Sequence, residues 1–248
     1  APTEPLTVVL SQKGWIRAGK GHDLDPMSLS YKAGDGFLAS VHVRSSQAVV
    51  FLDSTGRSYS VPAHLLPSAR GQGEPLTGRL SPPAGAEFVA LLAGEPGQRL
   101  LLASDAGYGF VVTLEDLYAK PKAGKAVLSL PHGARVLPPV TVTDPAQDRL
   151  AAITNTGHLL VFPVADLPEL ARGKGNKILG IPGARVAARE EFLCALAVVP
   201  PGASLTVLSG KRHFTLKPAD LDAYQGERGR RGHLLPRGFQ RVDGVTVV

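Results

Sequence analysis

A spacing of about fifty residues limits what this chain can fold into more than any single residue does. Five times an apolar run ends in a short polar turn closed by glycine: Ser11-Gln-Lys-Gly14, Asp53-Ser-Thr-Gly56, Ser104-Asp-Ala-Gly107, Thr154-Asn-Thr-Gly157 and Ser209-Gly210. From Gly56 through Gly107 and Gly157 to Gly210 the steps are 51, 50 and 53 residues. Periods in this range belong to propeller blades and similar arrays, whose units cover their apolar faces only by standing beside one another.

Each full repeat reads alike. Two short strands, such as 99–104 and 109–114, flank the glycine turn as a hairpin. Asp-Leu follows at Asp116-Leu117, Asp166-Leu167 and Asp220-Leu221, replaced by His64-Leu65 in the second repeat. A basic, glycine-rich loop comes next, then a third strand (126–130 or 177–181), a Pro-Gly turn (Pro131-His-Gly133, Pro182-Gly183, Pro236-Arg-Gly238) and a fourth strand (87–92 or 135–140). Four strands per unit make a blade. The first repeat departs from this order. After Gly14 it runs through Trp15 to Gly19-Lys20-Gly21 with no Asp-Leu segment, as an atypical terminal unit would. The last repeat ends in a strand over 241–248. The spacing predicts an all-β chain, one domain over 1–248, with repeats near 1–46, 47–97, 98–147, 148–203 and 204–248. The 28 glycines and 21 prolines, too frequent for long helices, agree with that class.

Charge points to a polyanionic partner. Lys and Arg number 27 against 21 Asp and Glu, a formal net charge of +6. The excess is modest, but the cations gather in the glycine-rich loops while the acids are scattered or sit in the Asp-Leu turns. One such loop alone is an ordinary solvated turn. Recurrence at one position of each blade would spread Lys20, Arg70, Lys122, Lys125, Arg172, Lys174, Lys177, Arg228, Arg230 and Arg231 around a single rim, and Arg57, Lys211 and Arg212 complete the candidate DNA-binding set. A cationic rim matches a curved phosphate backbone, with glycine letting main-chain N–H groups come close to phosphate. No loop offers a helix that could read bases in a major groove, so binding independent of sequence is expected.

Other chemistries are poorly supplied. Gly14-Trp-Ile-Arg-Ala-Gly19-Lys20-Gly21 imitates a phosphate-binding P-loop until Gly21 replaces the Ser or Thr that would hold magnesium, and Asp25-Pro26 follows instead of a helix. His22, His42, His64, His132, His158, His213 and His233 lack metal-ligand spacing. Gly-x-Ser-x-Gly and His-Glu-x-x-His are both missing. Tyr59, Tyr108, Phe110, Phe162 and Phe214 fall on second strands, where packing between blades is their expected role. The single cysteine, Cys194, cannot form an internal disulfide or a cysteine-based zinc site, which points to a reducing compartment. No apolar stretch reaches the ~18 residues of a membrane helix. A chain opening Ala-Pro-Thr-Glu-Pro without methionine is expected to be a piece of a longer protein.

Six segments carry a resemblance to a known family: 9–23 (Val-Leu-Ser-Gln-Lys-Gly-Trp-Ile-Arg-Ala-Gly-Lys-Gly-His-Asp), 51–59, 66–78 (Leu-Pro-Ser-Ala-Arg-Gly-Gln-Gly-Glu-Pro-Leu-Thr-Gly), 103–110, 172–178 and 226–232. Together they make the chain similar, over nearly its full length, to the C-terminal domains of the A subunit (ParC) of bacterial DNA topoisomerase IV. The resemblance implies a five-bladed β-pinwheel, a propeller-like disc with strands exchanged between blades and a ring that is often open or broken. It implies a rim that binds and bends double-stranded DNA, within an enzyme that selects DNA geometry for relaxation and decatenation. In that family ATP and magnesium serve the intact enzyme, and the nucleophilic tyrosine and the ATPase lie in other domains and in the B subunit. No cofactor is then expected here, and none of Tyr31, Tyr59, Tyr108, Tyr118 or Tyr224 takes the nucleophile's role. The partners implied are DNA, the B subunit plus the other domains of the A subunit, in the cytoplasm on the nucleoid, with peripheral membrane association of the intact enzyme. The related gyrase domain carries a Gln-Arg-Arg-Gly-Gly-Lys-Gly box. Ser68-Ala-Arg-Gly-Gln-Gly73 and Gln225-Gly-Glu-Arg-Gly-Arg-Arg-Gly232 are not that box, which argues against tight chiral wrapping. The competing reading is a protein-interaction propeller that docks a chromosome-organising complex.

Overall fold

The computed structural model describes residues 2–248 as five antiparallel sheets, an all-β architecture. The chain divides into two compact units: one reaches to Gln98 and resumes over Thr113–Val127, and the other takes Arg99–Val112 and Leu128–Val248. In the first unit, Pro5–Ser11 lies between Phe37–Arg44 and Trp15–Lys20, and Ala48–Asp53 lies between Phe88–Leu92 and Arg57–Pro62. In the second, the middle strands are Arg99–Ser104, Arg149–Thr154 and Leu205–Ser209, paired with Tyr108–Thr113, His158–Pro163 and Arg212–Leu216. Val140–Val142, Leu193–Val199 and Gly244–Val247 flank them on the other side.

Four of the five middle strands are buried on both faces, so they read as unbroken apolar runs such as Val-Val-Phe-Leu (49–52) and Leu-Ala-Ala-Ile (150–153), whereas Leu205–Ser209 leaves Leu208 exposed. The first unit has one core, with Val8, Leu10, Phe51, Tyr59 and Leu76 fully enclosed. The second has two, around Leu150, Phe162 and Ile178 and around Ile153, Val161 and Val207.

The fourth strand of a sheet comes from the next repeat. Counting by period assigns 126–130 and 177–181 to their own repeats. Instead Lys125–Ala126 pairs with Arg57–Pro62, and Asn176–Lys177 with Tyr108–Thr113. Glu74–Pro75 and His233–Leu234 likewise complete the first and fourth sheets. Each exchanged strand is two residues long because the chain then turns apolar residues into the core. Val127, Leu128, Ile178 and Leu179 are all buried, and each contributes about 1.5–3 kcal/mol if fully enclosed.

Proline shortens other strands. The run 135–140 is interrupted: Val136 makes an isolated antiparallel bridge to Ser104 and Val140–Val142 joins a ladder, with Pro138 and Pro139 between them having no N–H to donate. Pro182-Gly183 opens a one-turn helix, Gly183–Ala187, and the final strand covers only Gly244–Val247. The Asp-Leu segments become 3-10 turns at Leu114–Leu117 and Val164–Asp166 and a short helix at Pro218–Asp222. The first repeat also has such a turn, Pro26–Ser28, where Asp25 accepts a hydrogen bond from the Met27 N–H (3.0 Å).

One glycine in each basic loop is explained by the exchange. Gly73, Gly124, Gly175 and Gly232 each precede an exchanged strand, with φ of 87, 68, 83 and 73°. An added Cβ would overlap the carbonyl oxygens of Ile16, Ser58, Gly109 and Leu159, respectively. Backbone meets backbone there, so only a residue without Cβ fits.

Candidate nucleic-acid interface

The thirteen candidate cations separate into two groups. Lys20, Arg70, Lys122, Arg172, Lys174, Lys177, Lys211 and Arg212 are exposed and Lys125 is half-buried. Among the described residues, none of these nine makes an ion pair or a side-chain hydrogen bond, although the Lys174 ammonium lies 4.4 Å over the Tyr108 ring. The other four are engaged. Arg57 donates to the carbonyls of Ala123 and Gly124 (3.0 Å each), and Arg228 donates to that of Lys177 (2.7 Å). Arg231 donates to the fully buried carboxylate of Glu191. Arg230 pairs with Glu227 at 3.1 Å, but both side chains are about three-quarters exposed, so that pair adds little and releases Arg230 readily.

Five of the unpaired cations, Lys20, Arg70, Lys122, Lys211 and Arg212, stand at clefts within their own unit. In the first unit a cleft of about 800 Å³ has an apolar floor of Leu6, Leu24 and Leu66, with Lys20 from one repeat and His64 and Arg70 from the next on its lip. A second, of about 300 Å³, is lined by Arg79, Lys120 and Lys122. In the second unit Lys211, Arg212 and Arg241 line a cleft of about 460 Å³. Sequence reasoning left out Lys120 and Arg241. The signals available were the Lys120-Pro-Lys122 doublet and the cations around the Pro236-Arg-Gly238 turn.

Backbone hydrogen bonds within each unit tie the basic loops to the neighbouring repeat. In the first unit the Ser81 N–H donates to the Lys122 carbonyl (2.9 Å). In the second, Ser129 N–H donates to Gly173 (3.0 Å), Gly229 N–H to Ile178 (2.9 Å) and Gly180 N–H to Arg230 (2.9 Å). These bonds hold neighbouring loops, and the cations on them, at set separations.

The acids nearest the hairpin turns are hydrogen-bonded, and Asp53, Asp105 and Glu191 among them are buried. Asp35 accepts from the Ser11 hydroxyl (2.7 Å), Asp53 from the Tyr59 hydroxyl (2.6 Å), Asp105 from Arg189 (2.7 Å), Glu191 from the Thr156 hydroxyl (2.7 Å) and Asp243 from the Gly210 N–H. Burial alone would raise the pKa of Glu191. The hydrogen bonds from Arg231 and Thr156 reverse that and hold the carboxyl below its usual value. Asp35 is lowered in the same way, its bonds from Ser11 and the Gly36 and Lys13 N–H groups outweighing desolvation. Desolvation and the nearby Arg231 charge lower His158, whose Nδ1 is buried without a hydrogen-bond partner. Burial pushes the Cys194 thiol up to about 12, far from a reactive thiolate.

The second-strand aromatics pack. Tyr59, Phe110 and Phe162 are fully buried, and Phe214 lies 4.3 Å from Phe239, ring centre to ring centre. Among the described residues no cluster of three His, Cys, Asp or Glu could hold a metal, and no helix is long and apolar enough to cross a membrane. The arrangement suits a polyanion held at many points.

Comparison with known proteins agrees in fold and length of match. No family model matches the chain. It is 64% identical over 246 residues to the DNA topoisomerase 4 A subunit of Pseudomonas aeruginosa and 55% identical to that of Escherichia coli K12, each match covering 99% of the chain. The chain spans about a third of the length of these curated relatives. The solved E. coli ParC C-terminal domain superposes with a TM-score of 0.93 at 55% identity, with 99% of each chain covered. A DNA gyrase A C-terminal domain, 16% identical with a TM-score of 0.67, shares the fold alone.

Proposed function

Because the chain belongs to the family of C-terminal domains of the topoisomerase IV A subunit, in which the catalytic region lies outside the matched third, we propose that this accessory part binds and bends duplex DNA through its basic loops. The observation that carries this reading is the sorting of charge. Nine of the candidate cations stand unpaired, and within each unit backbone hydrogen bonds tie basic loops to the neighbouring repeat, while Asp53, Asp105 and Glu191 near the hairpin turns are buried and hydrogen-bonded. Phosphate contacts of this kind position a duplex without reading its bases. The partners proposed are DNA, the ATPase-bearing B subunit plus the rest of the A subunit, in the cytoplasm on the nucleoid. ATP and magnesium chemistry is assigned to those other parts.

Salt dependence tests it. If roughly six phosphates are neutralised, log K should fall against log salt with a slope of about −5, and unrelated duplexes should bind alike. That slope corresponds to on the order of a thousandfold loss between about 50 and 200 mM salt. A slope near −1 in mobility shifts, or a sharp preference for one sequence, would remove the phosphate mechanism.

A further inference from the structure

Two arginines on second strands point inward at the loops they precede in space. Arg17 is only 3% exposed, and its guanidinium donates to the carbonyls of Gly71 (2.8 Å) and Ser30 (2.7 Å) while lying 4.8 Å over the Tyr31 ring. Gly71 belongs to the loop of the second repeat that carries Arg70. Arg57 repeats the arrangement one sheet on, donating through Nε to Ala123 and through Nη2 to Gly124, in the loop that carries Lys122 and Lys125. At the fourth sheet the polarity is reversed: the incoming loop supplies Arg231, and the acceptor is the buried Glu191.

A guanidinium suits this task because its donors sit in a rigid fork and can hold two carbonyls at once. Lysine offers the same charge from a single point. Buried as it is, Arg17 cannot touch a phosphate without leaving both carbonyls. We propose that Arg17 and Arg57 are positioning residues for DNA binding: each fixes the backbone of the next repeat's basic loop and so sets where Arg70, or Lys122 and Lys125, stand. The idea rests on the phosphate-binding reading. It adds that some cations act through loop geometry and not through contact.

The test is a double-mutant cycle on the salt slope of duplex binding, with Arg17→Lys, Arg70→Ala and the double variant. Arg70→Ala should lower the slope by about one in the wild type. In the Arg17→Lys background it should change nothing further, because the misplaced loop has already lost that contact. A slope reduced by Arg70→Ala equally in both backgrounds would overturn the proposal, even if Arg17→Lys lowers the melting temperature, since simple destabilisation leaves the contact in place. No effect of Arg70→Ala in the wild type would instead sink the phosphate reading of this loop. A readout without DNA separates the two. The Ala69 N–H donates to the Ala18 carbonyl (2.9 Å), and its hydrogen exchange should accelerate in Arg17→Lys. Unchanged exchange there would show that the loop does not depend on Arg17. Should Arg17→Lys fail to fold, the same cycle with Arg57→Lys and Lys122→Ala decides, since Arg57 is half-buried and its loss opens less of the core.

Discussion

Gly175 and Gly71 occupy the same kind of basic loop under opposite constraints. At Gly175 φ is 83° and a Cβ would overlap the Gly109 backbone, whereas at Gly71 nothing lies within 4 Å. Gly175→Ala should cost about 1–3 kcal/mol, and Gly71→Ala should stay within about 0.5 kcal/mol, read as shifts of the denaturant midpoint. Equal losses at both sites would mean that the close approach is not what selects glycine. Titration makes a second prediction at this scale. His158 is held below the ordinary value of 6.5, so the unfolded chain takes up its proton first and stability falls as pH drops through 6.5 toward the folded pKa. Arg231, Glu191, Arg185 and His233 set the field it feels, with only Glu191 favouring the charged form. Glu191 is also depressed, so its contribution is present above 4.5 and is lost only as pH falls through its lower folded value. Melting temperatures should therefore decline in two stages on acidification, and His158→Gln should remove the upper one. Coincident curves for variant and wild type would place that stage elsewhere.

Elements were legible where a period or an apolar run specifies them and illegible where pairing is chosen between repeats. The five hairpins, the Asp-Leu turns and the basic loops all follow from local pattern, because a polar glycine turn between two apolar runs has few alternatives. The destination of Lys125–Ala126 does not. Its residues suit a third strand of their own repeat as well as a fourth strand of the preceding one, and what decides is Gly124 against the Ser58 carbonyl, a contact between segments 66 residues apart. The candidate site divides the same way. That the loops are cationic is written in their composition. That Arg57 and Arg231 face inward while Lys177 and Arg172 face water depends on carbonyls and a carboxylate supplied by other repeats, which no local pattern reports.

For the whole molecule a formal charge of +6 over 248 residues is too small to dictate a partner, so the proposed DNA binding requires the unpaired cations to act together from where they stand. Curving a 20–30 bp segment by 40–90° costs roughly 1–6 kcal/mol, which must be offset by contacts that a straight duplex would not reach. No one loop supplies that many. Changing Arg172, Lys174 and Lys177 together to Ala should reduce the salt slope by up to about three, with weaker binding. Bending should suffer more than binding, because a duplex can remain attached to the other loops without following the curve. In the intact enzyme that difference should become selective, lowering activity on the crossing or supercoil sign that needs a captured bend and sparing the rest. Energy transfer across a labelled duplex, together with relaxation of positively and negatively supercoiled circles, measures both effects. Wild-type bending in the triple variant, or an equal loss on every substrate, would reduce this loop to a turn that joins two sheets.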